Sequence, residues 1–298
     1  MTPAPGVTAE AAGGDVRLPF GERLAAAMRG TGPLCMGIDP HPGLLSAWAL
    51  EDTAAGVERF SMTALEAAAA ETVAAVKPQV ALYERHGSAG LAVLERVLRE
   101  AASAGVLTIA DAKRGDIGST MAGYADAWLS DGSPLAADAV TLSPYLGYES
   151  LRPAIDLAVG TGRGVFVLAL TSNPEGASVQ HVGGPDASVA RAVSGAAAAD
   201  NARAGGGPWG PVGLVVGATV ADQAERLGLD LAGVGGALLA PGYGAQGATA
   251  AGMLSGFGPA WPQVLATSSR AILQRGPSTD GIRRGIRTAL DELSTPAG

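Results

Sequence analysis

Lysine is almost missing from this chain. Of its 20 basic residues, 18 are arginine and two are lysine, Lys77 and Lys113. Arginine can serve nearly every surface role of lysine, so chemistry that needs an amine comes into view where lysine survives. The plain alternative is that two lysines escaped a compositional bias. Cysteine is scarcer still. Cys35 stands alone, which excludes an internal disulfide and any metal site built from several cysteines, and it reads as a small core residue. No apolar run reaches the roughly 18 residues that a membrane-crossing helix needs. No basic stretch followed by an apolar core opens the chain. A cytoplasmic protein with no membrane partner is therefore expected. Positive charge is in deficit, and the net charge of -8 argues against a nucleic-acid partner. His41, His86 and His181 show no ligand-like spacing, so they read as surface or packing residues and no metal site is expected.

Hydrophobic residues, at 47%, are abundant, whereas charged residues make up only 16%. A chain of 298 residues with that balance has material for a large core, in one α/β domain or two. Residues 1–16, rich in Pro, Gly, Ala and Thr, read as a loose tail. From "FGERLAAAM" onward the pattern turns helical. Eight short apolar runs then alternate with Ala-rich amphipathic stretches: "LCMGID" (34–39), "AAVKPQV" (74–80), "VLTIADA" (106–112), "AVTLSP" (139–144), "GVFVLALT" (164–171), "VGLVVGAT" (212–219), "GALLAPG" (236–242) and "VLATSS" (264–269). Segments between them, such as "GLAVLERVLREAASAG", carry apolar residues three and four apart and close on Gly, as helices do. Strand then helix, eight times, predicts a single-domain (β/α)8 TIM barrel over 17–298. An open doubly wound sheet is the alternative, but no Gly-x-Gly-x-x-Gly follows the first strand. "ARAGGGPWGP" (202–211) reads as a loop rather than a domain linker, since the alternation resumes after it.

In such a barrel the functional site lies at the C-terminal ends of the strands. Polar residues gather there. The first run ends in Asp39, and the second contains Lys77. The third passes through Asp111 and Lys113 to Asp116. The fifth ends in Thr171 and Ser172, and the eighth leads to Arg270. Side chains two apart on a strand share a face, so Asp111 and Lys113 can both point into the barrel mouth beside Lys77. An alternating row of ammonium and carboxylate would result, which neutralises charges costly to bury singly. A surface ion-pair cluster is the bland reading, weakened because both lysines of the chain fall at adjacent strand ends. "PGYGAQG" and Arg270 suit a phosphate at the seventh and eighth strand ends. The Gly- and Ala-rich stretch from Gly242 to about Trp261 suits a lid.

With "DAKRGDIGST", "GIDP", "VKPQVALYE", "TLSPYLGYESL", "LALTSNP", "PGYGAQG" and "SSRAIL" in place, the chain resembles the orotidine 5'-phosphate decarboxylase family, in its longer bacterial form. The resemblance runs from about Phe20 to Arg275. It implies cofactor-independent conversion of orotidine 5'-monophosphate to uridine 5'-monophosphate and carbon dioxide. By it, Lys113 matches the proton donor to C6 and Asp111 the carboxylate set against that of the substrate. Lys77 matches the lysine that positions Asp111 and contacts the ribose. Asp39 matches a ribose ligand, Ser172 the hydroxyl that reads the pyrimidine, and Gln246 and Arg270 the phosphate grip. Asp116 and Thr120 match residues given to a partner subunit's site, which implies a homodimer with shared sites, and Ile117 falls among the substrate contacts. One departure is "ATSSR", where many members have Gly just before the Arg. Two other readings stay open: a magnesium-dependent enzyme of sugar phosphates, which would carry Glu where Lys77 stands, and a non-catalytic phosphate-ligand sensor.

Overall fold

The computed structural model describes residues 17–295, and the expected tail at 1–16 lies outside them. The eight apolar runs form eight parallel strands: β1 (Leu34–Ile38), β2 (Ala75–Pro78), β3 (Leu107–Arg114), β4 (Ala139–Leu142), β5 (Gly164–Leu170), β6 (Val212–Val216), β7 (Leu238–Pro241) and β8 (Val264–Ser268). They pair in sequence order, and β8 closes on β1 through Leu34 and Ala266. The expected (β/α)8 barrel is therefore what forms.

Two cores follow from the alternation of side chains along each strand. One face of every strand packs outward against the helices, as Met36, Val76 and Val140 do. The other face fills the barrel. Ala75, Ile109, Ala139, Phe166, Leu239 and Leu265 form its lower, apolar part. Two residues further along the same strands stand Lys77, Asp111, Thr141, Leu168, Pro241 and Thr267. One step of the two-residue period thus turns a hydrophobic plug into a polar mouth.

The helix Phe20–Thr31 seals the opposite end. Its Phe20 ring meets that of Phe166 edge to face at 5.9 Å. Gly164 gives it room, for a Cβ there would lie 2.2 Å from Phe20 Cδ1. The "GGGPWG" loop also belongs to this end. Trp209 packs against the inner core, and the Gly210 N–H donates to Gly235 O at 2.8 Å. Among the described residues, no helix is long and apolar enough to cross a membrane.

Two connections differ from expectation. The stretch Gly242 to Trp261, expected to suit a lid, is in part helical. Only 242–249 is non-helical; Thr249 then caps the helix Ala250–Phe257, accepting from the Gly252 N–H, and a 3-10 segment Gly258–Gln263 follows. Its alanines favour helix rather than flexibility. The longer irregular connection is the one after β5, from Thr171 to Ser188, built of three short helical turns.

Candidate active site

Strand β3 breaks its regular pairing where the charges begin. The register between β3 and β4 shifts between Ala110 and Arg114. Within that shift Lys113 takes φ +49°, a left-handed conformation that costs a non-glycine residue roughly 1–3 kcal/mol. Asp111 and Lys113 do meet, as the sequence suggested, but through this irregular turn rather than simple alternation.

The Lys77 ammonium donates to Asp111 Oδ2 at 2.8 Å, and the Lys113 ammonium to Oδ1 at 2.5 Å. The Thr141 hydroxyl also donates to Oδ1, at 3.0 Å, while its oxygen accepts from the Lys113 backbone N–H at 2.9 Å. Lys77 and Asp111 are only 4% and 8% exposed. The side chain of Lys113 is 46% exposed, at the open end of the row. Burial by itself would raise the Asp111 carboxyl, but Lys77 and then Lys113 outweigh it and hold the group well below the usual carboxylate range. Burial would likewise lower the Lys77 amine. Asp111 and Asp39 reverse that and raise it above its ordinary value. The row is therefore fixed as ammonium, carboxylate and ammonium around one carboxylate. Cys35, beneath it, is desolvated and its thiol is pushed up to about 12, which suits an inert core residue.

Two cavities open on this row. The larger, about 680 Å³, is walled by Asp111, Lys113, Ser172, Gln180 and apolar side chains such as Val179 and Val193. The smaller, about 170 Å³, is walled by Asp39, Lys77, Gln246, Ser269 and Arg270. Pro241 lines both. Across the mouth, the Ser172 hydroxyl lies 3.4 Å from Gln246 Oε1. Asp39 Oδ1 and Ser269 Oγ are buried and, among the described residues, have no hydrogen-bond partner. A buried polar atom without a partner is costly, and both residues line the smaller cavity, whose polar walls suit a ligand with several donors and acceptors. The larger cavity, with its charged end and apolar walls, suits a flat polar ring.

Most of the site residues expected from sequence thus converge: Lys77, Asp111, Lys113, Asp39, Ser172, Gln246 and Arg270. Asp116, Ile117 and Thr120 do not. They lie beyond the end of β3, Ile117 is 61% exposed, and the described walls of the two cavities do not include them. The Asp116 carboxylate accepts from the Ile117 N–H at 2.8 Å. Sequence reading missed Thr141, Gln180, Thr267 and Ser269, and His41 also lines the smaller cavity. Thr141 carries a usable signal, as a polar residue two beyond the inward-facing Ala139. Among the described residues, no cluster of three or more His, Cys, Asp or Glu is placed to hold a metal ion.

Comparison with known proteins identifies the family of the chain. Residues 32–277 match the family model of the orotidine 5'-phosphate decarboxylase / HUMPS family. An orotidine 5'-phosphate decarboxylase of Streptomyces coelicolor is 54% identical over 277 residues, 93% of this chain and 96% of that protein. A crystal structure from Streptomyces avermitilis, of a protein described as an orotidine 5'-phosphate decarboxylase, superposes with a TM-score of 0.87 at 52% identity, covering 93% of this chain and 95% of that one. The OMP decarboxylase of Leishmania donovani superposes with a TM-score of 0.72 at 30% identity, covering 93% of this chain and 98% of that one.

Proposed function

The chain belongs to the orotidine 5'-phosphate decarboxylase family, converting orotidine 5'-monophosphate to uridine 5'-monophosphate and carbon dioxide in pyrimidine biosynthesis, and we propose that Lys113, Asp111 and Lys77 carry that reaction. The observation that carries the assignment is Asp111 held ionised between two ammonium groups, one buried and one facing the cavity.

The bond between C6 and the carboxylate breaks, carbon dioxide leaves, and the electron pair stays on C6. The Lys113 ammonium stabilises that pair electrostatically and then gives C6 a proton, and it recovers a proton from solvent. Arginine holds its proton too tightly for this task, which accounts for lysine here in an arginine-rich chain. Asp111 sets a fixed negative charge beside the substrate carboxylate, favouring its departure as neutral carbon dioxide. Lys77 keeps that charge in place, and the hydrogen bond that the Thr141 hydroxyl donates to Asp111 fixes the carboxylate's orientation. The pyrimidine occupies the larger cavity, read by Ser172. The ribose lies against Asp39 and Lys77 and the phosphate against Gln246 and Arg270, in the smaller cavity. No metal or organic cofactor takes part in this scheme. The buried Lys77 ammonium stands where a metal-dependent relative would need a carboxylate, and it would repel a cation.

Asp116, Ile117 and Thr120 serve the site of a second copy in a homodimer. Support comes from the surface around them. The loops after β3 and β4 touch closely at Gly115 and Ser143. They present three large apolar side chains to solvent, Ile117, Tyr145 (77% exposed) and Leu146 (53% exposed), and exposed apolar groups of this size are readily covered by association. A cytoplasmic setting belongs to this reading, since a single buried cysteine suits a reducing compartment.

The loss of orotidylate ultraviolet absorbance, with a chelator present, tests the assignment. The native enzyme should turn over undiminished. Lys113→Ala should lose at least a factor of about 10² in kcat, the lower end of what proton transfer contributes, while still binding uridine 5'-monophosphate. A variant that keeps more than about a tenth of kcat, or native activity abolished by chelation, contradicts it.

A further inference from the structure

The connection from Thr171 to Ser188 poses a physical problem. Its three short helical turns, Pro174–Gly176, Ala177–Gln180 and Gly184–Ala187, contribute no buried residue. Side-chain packing therefore does not fix them, yet Ser172 at their start faces the larger cavity.

A polar clasp does the fixing. Beyond the end of β5 the Thr171 N–H donates to Gln180 Oε1 at 2.9 Å. Gln180 Nε2 donates to Thr171 Oγ1 at 2.7 Å, so one amide holds one residue at two points. Its orientation is settled by chemistry, because the Thr171 N–H can meet only an acceptor. The network runs on from the Thr171 hydroxyl to Asn173 Oδ1 at 2.7 Å and from Asn173 Nδ2 to Glu175 Oε2 at 3.1 Å. The clasp is closely packed as well. A Cβ on Gly176 would lie 2.8 Å from Thr171 Oγ1 and 3.1 Å from Gln180 Oε1. On the other side, a Cβ on Gly217 would lie 3.0 Å from Ser172 N. Ser172 thus sits between a glycine at the end of β6 and the residue that Gln180 grips.

We propose that Gln180 is a positioning residue for recognition of the pyrimidine: it holds Thr171 so that Ser172 faces the base. This rests on the reading of Ser172 given above. The effect falls chiefly on the base end of the substrate. The groups assigned to ribose and phosphate come from the ends of β1, β2, β7 and β8; Gln180 hydrogen-bonds to none of them, and the link between the two ends is the Ser172 hydroxyl, 3.4 Å from Gln246 Oε1.

That asymmetry gives the test. Calorimetry would compare uridine 5'-monophosphate with ribose 5-phosphate, which lacks the base, on native protein, Gln180→Leu and Gln180→Glu. Gln180→Leu should bind uridine 5'-monophosphate about tenfold more weakly, the scale of one or two neutral hydrogen bonds, and ribose 5-phosphate within about twofold of native. KM for orotidine 5'-monophosphate should rise with it. Gln180→Glu should recover most of the loss, since its carboxylate accepts from both the N–H and the hydroxyl of Thr171. Unchanged affinity for uridine 5'-monophosphate in Gln180→Leu, or equal loss on both ligands, overturns the proposal. If Gln180→Leu does not fold, Thr171→Val removes the hydroxyl half of the clasp alone and carries the same comparison. Native protein that binds both ligands equally instead contradicts the base-reading role of Ser172, and the proposal falls with it.

Discussion

Asp111 accepts three hydrogen bonds in a nearly closed environment, and its charge organises the site. Removing that charge leaves Lys77 buried beside Asp39 alone, so Asp111→Asn should cost on the order of 3 kcal/mol of stability at neutral pH. The pH dependence has a definite sign. A carboxyl held low in the folded state binds its proton more readily when unfolded. Its contribution is then complete above the ordinary carboxylate value of about 3.9 and is lost as pH falls through the folded value. Urea unfolding should find the gap between native protein and Asp111→Asn steady above about pH 5 and narrowing below about pH 4. A gap that widens on acidification contradicts the ion-pair account. The ion pairing of this residue was legible in sequence, because two lysines and an aspartate at adjacent strand ends stand out in a charge-poor chain. Thr141 was harder to see, because it stands inside an apolar run and only its place two beyond Ala139 marks its inward direction. Gln180 was hidden differently: its partner lies nine residues back, along a connection with no periodicity to read.

At the scale of elements, the strands were legible to within three residues at either end, since each is an apolar run bounded by polar or turn-forming neighbours. What alternation could not supply was the left-handed turn at Lys113, which depends on the break in pairing with β4. The connection after β7 misled for the opposite reason. Gly and Ala there suggested mobility, but Thr249 supplies a cap and the alanines a helix. The Phe20–Thr31 helix divides labour with the site, sealing the end of the barrel remote from the charges. Gly164→Ala would drive a Cβ into the Phe20 ring and should cost about 1–3 kcal/mol, the usual range for overpacking a filled core. Denaturant unfolding would measure that loss. Steady-state kinetics on the same variant should give kcat and KM within about twofold of native, because the two ends of such a barrel serve stability and chemistry separately. A large fall in kcat at unchanged stability would show that the inner core transmits strain to the mouth.

For the whole molecule, eight repeats of strand and helix were enough to anticipate a closed barrel, and the closure between β1 and β8 bears that out. The proposed completion of the site by a second copy is less accessible to sequence, because an exposed residue carries no mark of what covers it. Asp116 is the discriminating residue. It follows Lys113 by three positions, yet among the described residues it lines neither cavity. If each site combines Lys113 of one chain with Asp116 of another, subunit exchange between Lys113→Ala and Asp116→Ala, each inactive alone, must rebuild intact sites. A mixed dimer has one site with both defects and one with neither. Random exchange makes half the dimers mixed, so activity should return to about a quarter of native, as two-fold symmetry requires. If mass spectrometry demonstrates complete exchange and no activity returns, Asp116 acts within its own chain and the shared-site account is wrong.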